Sequence, residues 1–495
     1  MNRKLLHNLK QWYQSNSDAG HKAAQHRKPL VIRGARQVGK TWLVREFARQ
    51  ESLDLCEFNF ERDPSVSKLF EPNDPSQIIG NLQQYLSRRL DVRKLLLFLD
   101  EIQAVPHLLA KLRWFAEERP DIAVIAAGSL LDFALKGSRF SMPVGRISYL
   151  YLEPMSFIEF LDATGHSLLT EMLNNYDLNH PIAKPVHQKL INLQRVFRQT
   201  GGMPAIVNAY CKSTTAPSQS LSKITDYVDE DCRQLQHNLL VTFRDDFHKY
   251  SGKLSHDRLT QVLDSVSYQL GQKFKYSRIN KDEASSGYKR ALDLLCEARL
   301  CHRIYASSSN RLPLAGEIRD RYFKVFVTDI GLLSTLLGEG ETSASSHSNE
   351  GAVSEQLVAQ LLRCTFPKYI DPQLFYWVRE RRGSEAEVDF VIAIDGQIIP
   401  IEVKSGKTGR LRSLHSFVST KRIQDSGEHS RAQHALSSKL AVRINADLPS
   451  LTDVPLIDMS DNKNTKQTRS IFQLLSIPFY LVEQLPRLVR QVLNR

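Results

Sequence analysis

The sequence predicts an α/β protein with three parts: an N-terminal doubly wound α/β domain, a middle helical domain, and a second α/β domain at the C-terminus. In the first 130 residues, short apolar segments alternate with segments of helical periodicity, as in a doubly wound parallel sheet. Near the C-terminus, several apolar segments of strand length follow a helix with an apolar stripe. A length of 495 residues is enough for about three domains.

A strand, a glycine-rich turn and a helix open the first α/β domain. Residues 30–32 form the apolar strand, the turn has the pattern G-x-x-x-x-G-K-T, and residues 41–49 form the helix. In such a turn, Gly34 and Gly39 let successive backbone N–H groups point at the phosphates of a nucleotide. The N-terminus of the helix adds its positive dipole end. This order of elements therefore predicts a phosphate-binding loop.

The side chains at the end of this loop fit ATP and Mg²⁺. Lys40 is expected to reach the β- and γ-phosphates, and the Thr41 hydroxyl is expected to bind Mg²⁺. We predict that the whole loop contacts the nucleotide through Gly34, Ala35, Arg36, Gln37, Val38, Gly39, Lys40 and Thr41.

Polar residues also follow two later strands of the same domain. The further strands are predicted at 53–60, 95–99 and 122–127. Because ligands bind at the carboxyl ends of strands in such sheets, Asp100, Glu101 and Ser129 are expected beside the phosphate loop. Asp100 would hold Mg²⁺, Glu101 would polarise the attacking water, and Ser129 would contact the γ-phosphate or that water. The alternatives are that the two acids only cap a buried strand and that Ser129 caps a helix over 130–135.

The segments GARQVGKT, LLLFLDEIQ, AAGSLL and VGRISYLYLEPMSFIEFL (144–161) resemble a prokaryotic AAA-type ATPase group. Its members carry the signature G-R-x5-L-x-P-x-S-F-x-E-F after a strand that ends in G-S. The resemblance implies that Arg146 lies near the nucleotide as a γ-phosphate sensor or arginine finger, which would favour a homo-oligomer. An ion pair that fixes the 144–161 segment is the alternative. It also implies that the G-G-x-P segment at 201–204 closes the ATPase lid, unless it is a helix start after a Gly-Gly turn.

The middle of the chain has a different pattern. Residues 223–340 are expected to form helices followed by a hairpin, the order found in winged-helix domains that bind duplex DNA. Lys289, Arg290 and Arg299 give only a modest basic face, so a packing or partner-binding module is the alternative. Residues 340–349 are small and polar and are predicted to be a linker.

A second group of charged residues lies in the C-terminal domain. Glu355 is on a predicted helix, Asp389 is on a strand, and the Asp395-Gly396 turn leads to a strand that carries Glu402 and Lys404. Asp389 and Glu402 are hard oxygen ligands suited to Mg²⁺, and a metal there would activate water for phosphodiester hydrolysis. Lys404, two residues from Glu402 and on the same face, would position the water or stabilise the transition state.

This D-x12-E-x-K arrangement looks like the PD-(D/E)xK nuclease superfamily. The segments GAVSE, AEVDFVI and PIEVKSG also resemble the domain of unknown function that accompanies the ATPase group. The resemblance implies a restriction-endonuclease-like fold. Two alternatives stay open: the residues form a structural ion-pair cluster, or they line a site that only binds.

Composition and charge set the remaining expectations. Six scattered cysteines without a C-x-x-C pair argue against a zinc site or a disulfide framework, and no signal peptide or membrane span is predicted. A cytoplasmic protein is therefore expected. The net charge is +12, and residues 1–50 hold eleven Lys/Arg against two acids. This excess favours polyanions such as DNA, or it is a solvated basic helix plus the charges of an ATP site.

The predicted domains are a basic N-terminal helix and connector (1–28), an AAA-type ATPase domain with its lid (29–210), the winged-helix-like domain (223–340) and the nuclease-like domain (350–495). The leading hypothesis is an ATP-hydrolysing protein that acts on DNA, with the ATP state controlling the nuclease-like domain. The second is a non-nucleolytic ATP-dependent switch whose C-terminal domain binds protein or nucleic acid. A kinase or other transferase is disfavoured because Asp100-Glu101 supplies a water-activating group.

Overall fold

The computed structural model describes residues 2–15, 27–129, 131, 145–214, 230–250, 255–338, 350–381, 384–406, 411–425, 439–457 and 467–494. The linker predicted at 340–349 and nearly all of the helix predicted at 130–135 lie outside these ranges. Within them, no helix is both long and apolar enough to cross a membrane.

A five-stranded parallel sheet forms the centre of the N-terminal domain. Its strands are β1 (Leu30–Arg33), β2 (Asp54–Asn59), β3 (Leu95–Asp100), β4 (Ala123–Gly128) and β5 (Ser148–Tyr151). Their order across the sheet is β2-β3-β4-β1-β5, and each neighbouring pair is parallel. Every residue of β3 and β4 is buried, as expected for a parallel sheet covered on both faces. The predicted doubly wound arrangement is confirmed.

Helices cover both faces of this sheet and extend it towards the rest of the chain. They are α1 (Leu5–Gln14), α2 (Lys40–Gln50), α3 (Pro75–Leu86), α4 (Leu108–Glu118), α5 (Phe157–Ala163), α6 (Ser167–Asn175), α7 (Lys184–Thr200) and α8 (Pro204–Thr214). Ser156 caps α5 in a reciprocal capping box with Glu159, which explains why the S-F-x-E-F part of the signature starts a helix.

The middle of the chain is helical, as predicted, and includes one hairpin. Its elements are α9 (Glu230–Tyr250), α10 (His256–Tyr268), α11 (Ser285–Glu297), β6 (Cys301–Ser307), β7 (Ile318–Val327) and α12 (Ile330–Leu336). Lys289 and Arg290 are exposed on α11. Arg299, the third residue of the predicted basic face, is buried and paired with Asp371, so it is not available to DNA.

An eight-stranded mixed sheet organises the C-terminal region. The elements after the linker are α13 (Glu350–Thr365), β8 (Phe375–Arg381), β9 (Ser384–Ile394), β10 (Gln397–Val403), α14 (Arg412–Asp425), β11 (Leu440–Asn445), β12 (Ser450–Ile457), β13 (Gln467–Pro478) and α15 (Leu485–Leu493). The strand order is β12-β13-β11-β10-β9-β8-β6-β7. Asp395 and Gly396 have φ values of 48° and 78°, as the predicted tight turn between β9 and β10 requires.

The hairpin of the middle segment belongs to this same sheet. Strand β6 pairs in parallel with β8 through Tyr305 and Ala306, and β7 lies beyond β6 at the sheet edge. The segments predicted as separate domains at 223–340 and 350–495 therefore share one sheet. The hairpin is not a free wing, because one of its strands is already covered by a C-terminal strand.

Two segments near the C-terminus differ from the prediction. The unplaced stretch 445–470 contains edge strand β12, whose mostly exposed residues give no apolar pattern. The strand predicted at 477–482 ends at Pro478, and residues 479–484 form a buried 3₁₀ turn. A short buried apolar run reads alike as strand or helix, and the proline removes a backbone donor from the ladder.

A buried ion-pair network joins the N-terminal domain to the rest of the molecule. Glu153, just after β5, accepts two hydrogen bonds from Arg363 of α13, at 3.0 and 2.9 Å. The guanidinium of Arg299 lies 3.6 Å from the same carboxylate. Burial raises the pKa of Glu153, but Arg363, His302 and Arg299 outweigh burial and hold that pKa below its usual value. The network therefore ties three segments of the chain together as charged, mutually dependent groups.

The basic residues of the first 50 positions are mostly committed to partners. Arg45, Arg49, Lys10 and Lys4 pair with carboxylates, and Arg27 lies over the ring of Tyr13. The local charge excess therefore favours the second sequence interpretation, structural charges around a phosphate site, over a free basic surface.

Candidate functional site

The phosphate loop connects β1 to α2, as the sequence predicts. Gln37 and Gly39 have φ values of 62° and 93°, which turn the loop backbone back on itself. A Cβ added to Gly34 would lie 2.5 Å from the Leu152 carbonyl oxygen, so only glycine lets the loop pack here. The glycines of the motif thus each have a local steric reason: close packing at Gly34 and a positive φ at Gly39.

Lys40 is buried inside this loop. Its ammonium donates hydrogen bonds to the carbonyl oxygens of Gly34, at 3.1 Å, and Ala35, at 2.9 Å. Burial lowers its pKa to about 8, against the opposing effect of Glu101 and Asp100. The loop carbonyls therefore hold the Lys40 ammonium at the place where phosphate oxygens would accept its hydrogen bonds.

Asp100 and Ser129 meet the loop from the ends of β3 and β4. The Asp100 Oδ2 atom accepts hydrogen bonds from Thr41 Oγ1, at 2.9 Å, and from Asn59 Nδ2, at 3.3 Å. Burial and the neighbouring Glu101 raise the pKa of Asp100. Within the described residues, Asp100 Oδ1 and Ser129 Oγ are buried and lack a hydrogen-bond partner.

Those two unsatisfied oxygens fit the ligands predicted for the site. Buried polar atoms without a partner are costly, so a bound group is expected to satisfy them. The carboxylate of Asp100 and the hydroxyl of Thr41 are oxygen ligands of the kind that Mg²⁺ prefers. Ser129 sits at the end of β4, between β1 and β3, where a γ-phosphate or its attacking water would lie. The residues present therefore fit Mg²⁺ and a nucleotide.

Glu101 follows Asp100 in a left-handed backbone conformation, with φ of 49°. This conformation is uncommon for a residue with a side chain and re-aims the chain at the sheet edge. The Gln103 amide donates to Glu101 Oε2 at 2.6 Å and holds the carboxylate in place. Sequence reasoning missed Gln103 and Asn59, although both follow strand ends at the edge that carries the loop.

Two distant segments also brace the loop. Arg3 donates to the Val38 carbonyl at 3.0 Å and to the Glu153 carbonyl at 2.7 Å. Arg36 pairs with Asp246 of α9 at 2.7 Å. No local pattern connects these partners, which lie 35 to 210 positions apart in the chain, so the sequence could not indicate them.

Arg146 is placed away from the loop. It precedes the first residue of β5, and β5 runs parallel to β1, so Arg146 lies at the amino edge of the sheet while the phosphate loop lies at the carboxyl edge. Its guanidinium pairs with Glu117 of α4 at 2.7 Å and is about half exposed. Within one chain, the position contradicts a γ-phosphate contact and agrees with the ion-pair alternative. A role towards a second subunit stays a prediction.

The burial of Lys40 predicts a pH dependence of nucleotide binding. Because the pKa is lowered to about 8, the free lysine loses its proton as the pH rises through that value, and bound phosphates would restore the charge. We expect ATP affinity to fall above pH 8, with uptake of about one proton per nucleotide bound. Calorimetry in two buffers of different ionisation enthalpy measures this uptake. A Lys40→Arg variant should take up none, because arginine stays charged; equal uptake in both proteins would contradict the prediction.

The second group of predicted residues also comes together in space. Asp389 Oδ2 accepts the Val403 backbone N–H at 2.7 Å, and Glu402 Oε1 accepts from Lys404 Nζ at 2.6 Å. Glu355 of α13 interacts electrostatically with Asp389. The helix and the hairpin therefore present three predicted carboxylates to one another.

Lys324 and Glu387, which the sequence analysis did not single out, complete this group. Lys324 of β7 is almost fully buried, and its ammonium lies 2.9 Å from Glu355 Oε2 and 2.6 Å from Glu387 Oε1. We call the four acids Glu355, Glu387, Asp389 and Glu402 the carboxylate cluster. Lys324 and Lys404 are its two ammonium groups. A lysine on an edge strand gives no sequence signal for such a role, because alternating charge is common there.

The surroundings raise the pKa of three acids of the cluster, Glu355, Asp389 and Glu402. Burial, reinforced by Asp389 and Glu387 and opposed by Lys324, raises the pKa of Glu355 to about 8. Burial and Asp389 raise the pKa of Glu402 to about 7, although Lys404 opposes them. Burial also raises the pKa of Asp389. Acids crowded in a low-dielectric site resist full ionisation unless cations compensate them.

The cluster does not fit the predicted metal ion in this arrangement. In the part of the chain that the structure describes, no three His, Cys, Asp or Glu side chains are arranged to hold a metal. The ammonium of Lys324 lies among the acids that would have to bind it. The assignment of Asp389 and Glu402 as metal ligands therefore stays a prediction, which requires the ammonium of Lys324 to leave; Lys404 lies beside Glu402.

Three family models match successive parts of the chain. Residues 26–161 match an AAA domain family, AAA_14. Residues 195–343 match a domain of unknown function, DUF8612, and residues 350–448 match another, DUF4143. Together with the loop geometry, the first match supports a P-loop domain of the AAA ATPase type in the N-terminal region. A mixed-sheet domain follows it, and neither later match assigns that domain an activity.

The comparisons with whole proteins are less specific. No curated protein matches the sequence. The ORC2 protein of Aeropyrum pernix, solved as ADPNP-ADP complexes, is similar at 14% identity over 61% of this chain and 86% of that chain, with a TM-score of 0.35. PCH-2 of C. elegans is similar at 12% identity over 43% of this chain and 62% of that chain, with a TM-score of 0.26. At these scores neither likeness bears on function.

Proposed function

We propose that this protein binds ATP with Mg²⁺ and hydrolyses it, and that the nucleotide state controls the carboxylate cluster of the C-terminal region. One observation carries the first part. Among the residues that the structure describes, the buried oxygens Asp100 Oδ1 and Ser129 Oγ have no hydrogen-bond partner, and the ammonium of Lys40 is buried in the adjoining loop. The Asp100 carboxylate, the Ser129 hydroxyl and the Lys40 ammonium lie at one edge of the sheet, and phosphoryl transfer to water needs such groups together.

Each residue of the site has a role in this reaction. Lys40 exchanges the loop carbonyls for phosphate oxygens and keeps its charge there. Asp100 and Thr41 would hold Mg²⁺, which supplies positive charge against the phosphates. Glu101, held by Gln103, accepts a hydrogen bond from the attacking water and orients it in line with the γ-phosphate.

The direct test is ATP hydrolysis by the full-length chain, followed as phosphate release. The proposal expects turnover with Mg²⁺ and its loss when the metal is chelated. A protein that binds ATP with Mg²⁺ but never releases phosphate would overturn the hydrolytic part and leave a nucleotide-binding switch.

A continuous set of contacts supports control of the C-terminal region. A Cβ on Gly39 would lie 3.5 Å from Pro204, so the phosphate loop touches the start of α8. Just before that helix, the Gly202 N–H donates to Asp329 Oδ2 at 2.6 Å. Asp329 lies two residues beyond the end of β7, the strand that carries Lys324. A shift of the predicted lid segment, residues 201–204, would therefore also move β7 and the carboxylate cluster.

The action of the cluster has two candidate forms. The first is cleavage of DNA when the lid shifts β7, as the nuclease-like sequence pattern suggests. The second is a site that only binds DNA or protein, and one observation favours it: Lys324 already neutralises Glu355 and Glu387. Both forms use the same ATP-dependent link.

A cleavage assay separates these forms. Plasmid, linear and branched DNA are incubated with the full chain, Mg²⁺ or Mn²⁺, with and without ATP. If the cluster cleaves DNA, we expect ATP-dependent products that disappear in both Asp389→Ala and Lys404→Ala, since each removes a charged group of the site. Salt-sensitive binding without products would assign the binding role instead. Lys68→Ala, which changes an exposed lysine of the N-terminal domain, serves as the control.

A further inference from the structure

We propose that the Lys324 ammonium occupies the cation position of the carboxylate cluster, so that a divalent metal ion and Lys324 compete for the same carboxylates. The inference deepens the proposed function of the C-terminal site and rests on it. Lys324 is 1% exposed and lies within 2.9 Å of Glu355 and 2.6 Å of Glu387. Its ammonium also lies 5.3 Å from the centre of the Tyr376 ring.

The surroundings of Lys324 form a built cation site. Glu355 comes from α13, Glu387 from β9 and Tyr376 from β8, and all three converge on a side chain from β7. A lysine is rarely buried to this extent unless carboxylates compensate its charge. An aromatic face adds a further favourable contact for a cation. Four elements therefore cooperate to hold one positive charge.

An unsatisfied oxygen shows that the cluster has room for more positive charge. Glu402 is 4% exposed; its Oε1 atom accepts from Lys404, but its Oε2 atom is buried and lacks a partner within the described residues. Asp389 acts electrostatically on the same carboxylate. The cluster thus holds four carboxylates against two ammonium groups, and one acidic oxygen faces no donor.

A metal ion and Lys324 cannot both hold these acids well. A divalent ion needs several oxygen ligands, and Asp389 interacts electrostatically with both Glu355 and Glu402. Lys324 already holds one oxygen of Glu355 and would repel a second cation at short range. The ion is therefore expected to bind tightly only where the ammonium has left.

Two features of strand β7 favour movement of Lys324. It is the edge strand of the sheet and pairs only with β6 there. The register shifts so that Tyr305 opposes Phe323 while Ala306 opposes Arg319, which leaves residues 320–322 without a partner in register. A bulge of this kind re-aims neighbouring side chains, and this one ends two residues before Lys324.

The test is Mn²⁺ binding to the nucleotide-free full chain, with free Mn²⁺ followed by electron paramagnetic resonance. An Asp100→Asn background removes the carboxylate of the ATP site. In that background, Lys324→Met is expected to bind one Mn²⁺ per chain at least tenfold more tightly than the parent. Lys324→Arg, which keeps the charge, should bind no more tightly than the parent. Adding Asp389→Asn to Lys324→Met should remove the gain.

Equal Mn²⁺ affinity in the parent and in Lys324→Met would overturn the proposal. A second measurement covers the case in which Lys324→Met does not fold. In the parent, acetylation of Lys324 by an activated acetate ester, read by mass spectrometry, should rise at least threefold on saturation with Mn²⁺, while acetylation of Lys289 stays constant. Unchanged Lys324 acetylation would overturn the competition. Neither readout needs ATP hydrolysis or DNA cleavage, so failure of the proposed function gives a different pattern of results.

Discussion

Lys40→Ala and Glu101→Gln are each expected to lower ATP turnover by about a hundredfold or more, because a positioned general base alone contributes about 10²–10⁴-fold. The two substitutions remove different parts of the site. Lys40 is the buried cation of the phosphate loop, held by the Gly34 and Ala35 carbonyls. Glu101 is the carboxylate that Gln103 holds at the edge of the sheet.

The two variants should differ in ATP binding. Lys40→Ala removes a charge that contacts the phosphates, so its dissociation constant for ATP should rise together with the loss of turnover. Glu101→Gln keeps the shape and the loop charge, so it should bind ATP nearly as well as the parent and fail to hydrolyse it. Fluorescent-nucleotide titration and phosphate release measure the two effects separately.

Matched surface substitutions control this comparison. Lys68→Ala and Glu118→Gln change exposed residues of the same domain and should leave turnover within about twofold, since surface changes have small effects. Parent-like turnover in both Lys40→Ala and Glu101→Gln would contradict the assignment of the ATP site.

Arg363→Met is expected to lower the apparent free energy of unfolding by about 3–5 kcal/mol, the usual cost of breaking one partner out of a buried ion pair. Arg363 donates two hydrogen bonds to Glu153, and both side chains are buried. Its loss leaves Glu153 facing Arg299 at 3.6 Å as the remaining close guanidinium of the network. Urea denaturation followed by circular dichroism measures the change.

The exposed pair Arg146–Glu117 provides the control. Arg146→Met should cost about 0–1 kcal/mol, because its charges stay in water when the pair breaks. The buried pair should also depend on pH. Since the pKa of Glu153 is held below its usual value of 4.5, its stabilising effect is present above pH 4.5 and is lost as the pH falls below it. Similar costs for Arg363→Met and Arg146→Met would show that the buried network does not hold the domains together.

The phosphate loop could be predicted from the sequence because each of its parts is local. The strand, the glycine turn and the helix are contiguous, and steric rules at Gly34 and Gly39 act within that turn. The prediction of Asp100 and Ser129 needed one further inference. They end buried strands, and parallel strands bring their carboxyl ends to one edge.

The residues that brace this site could not be predicted. Arg3 reaches Val38 across 35 positions, and Asp246 reaches Arg36 across about two hundred. Arg146 is the converse case: the family resemblance implies a place near the nucleotide, whereas within one chain the parallel pairing of β5 puts it at the other edge of the sheet, in the ion pair that was the alternative. Such contacts depend on how helices pack onto the sheet, which no periodicity encodes.

At the C-terminal site, the sequence determined the hairpin and the acids that it carries. The Asp395-Gly396 turn sets the pairing of β9 with β10, and this pairing makes Asp389 and Glu402 neighbours on adjacent strands. Only the tertiary structure decided which cation lies beside these acids. Parallel pairing of β6 with β8 brings β7 of the preceding segment to the cluster and, with it, the ammonium of Lys324.

The sequence by itself therefore determined a P-loop ATPase domain, because a nucleotide's phosphates are held by backbone groups that one short segment supplies. It determined a second acidic site for the same reason, since a tight turn places both acids. Whether that site presents free carboxylates or an ion-paired cluster was decided by the tertiary structure. The deciding lysine lies 31 positions before Glu355, and burial makes its charge count far more than it would in water.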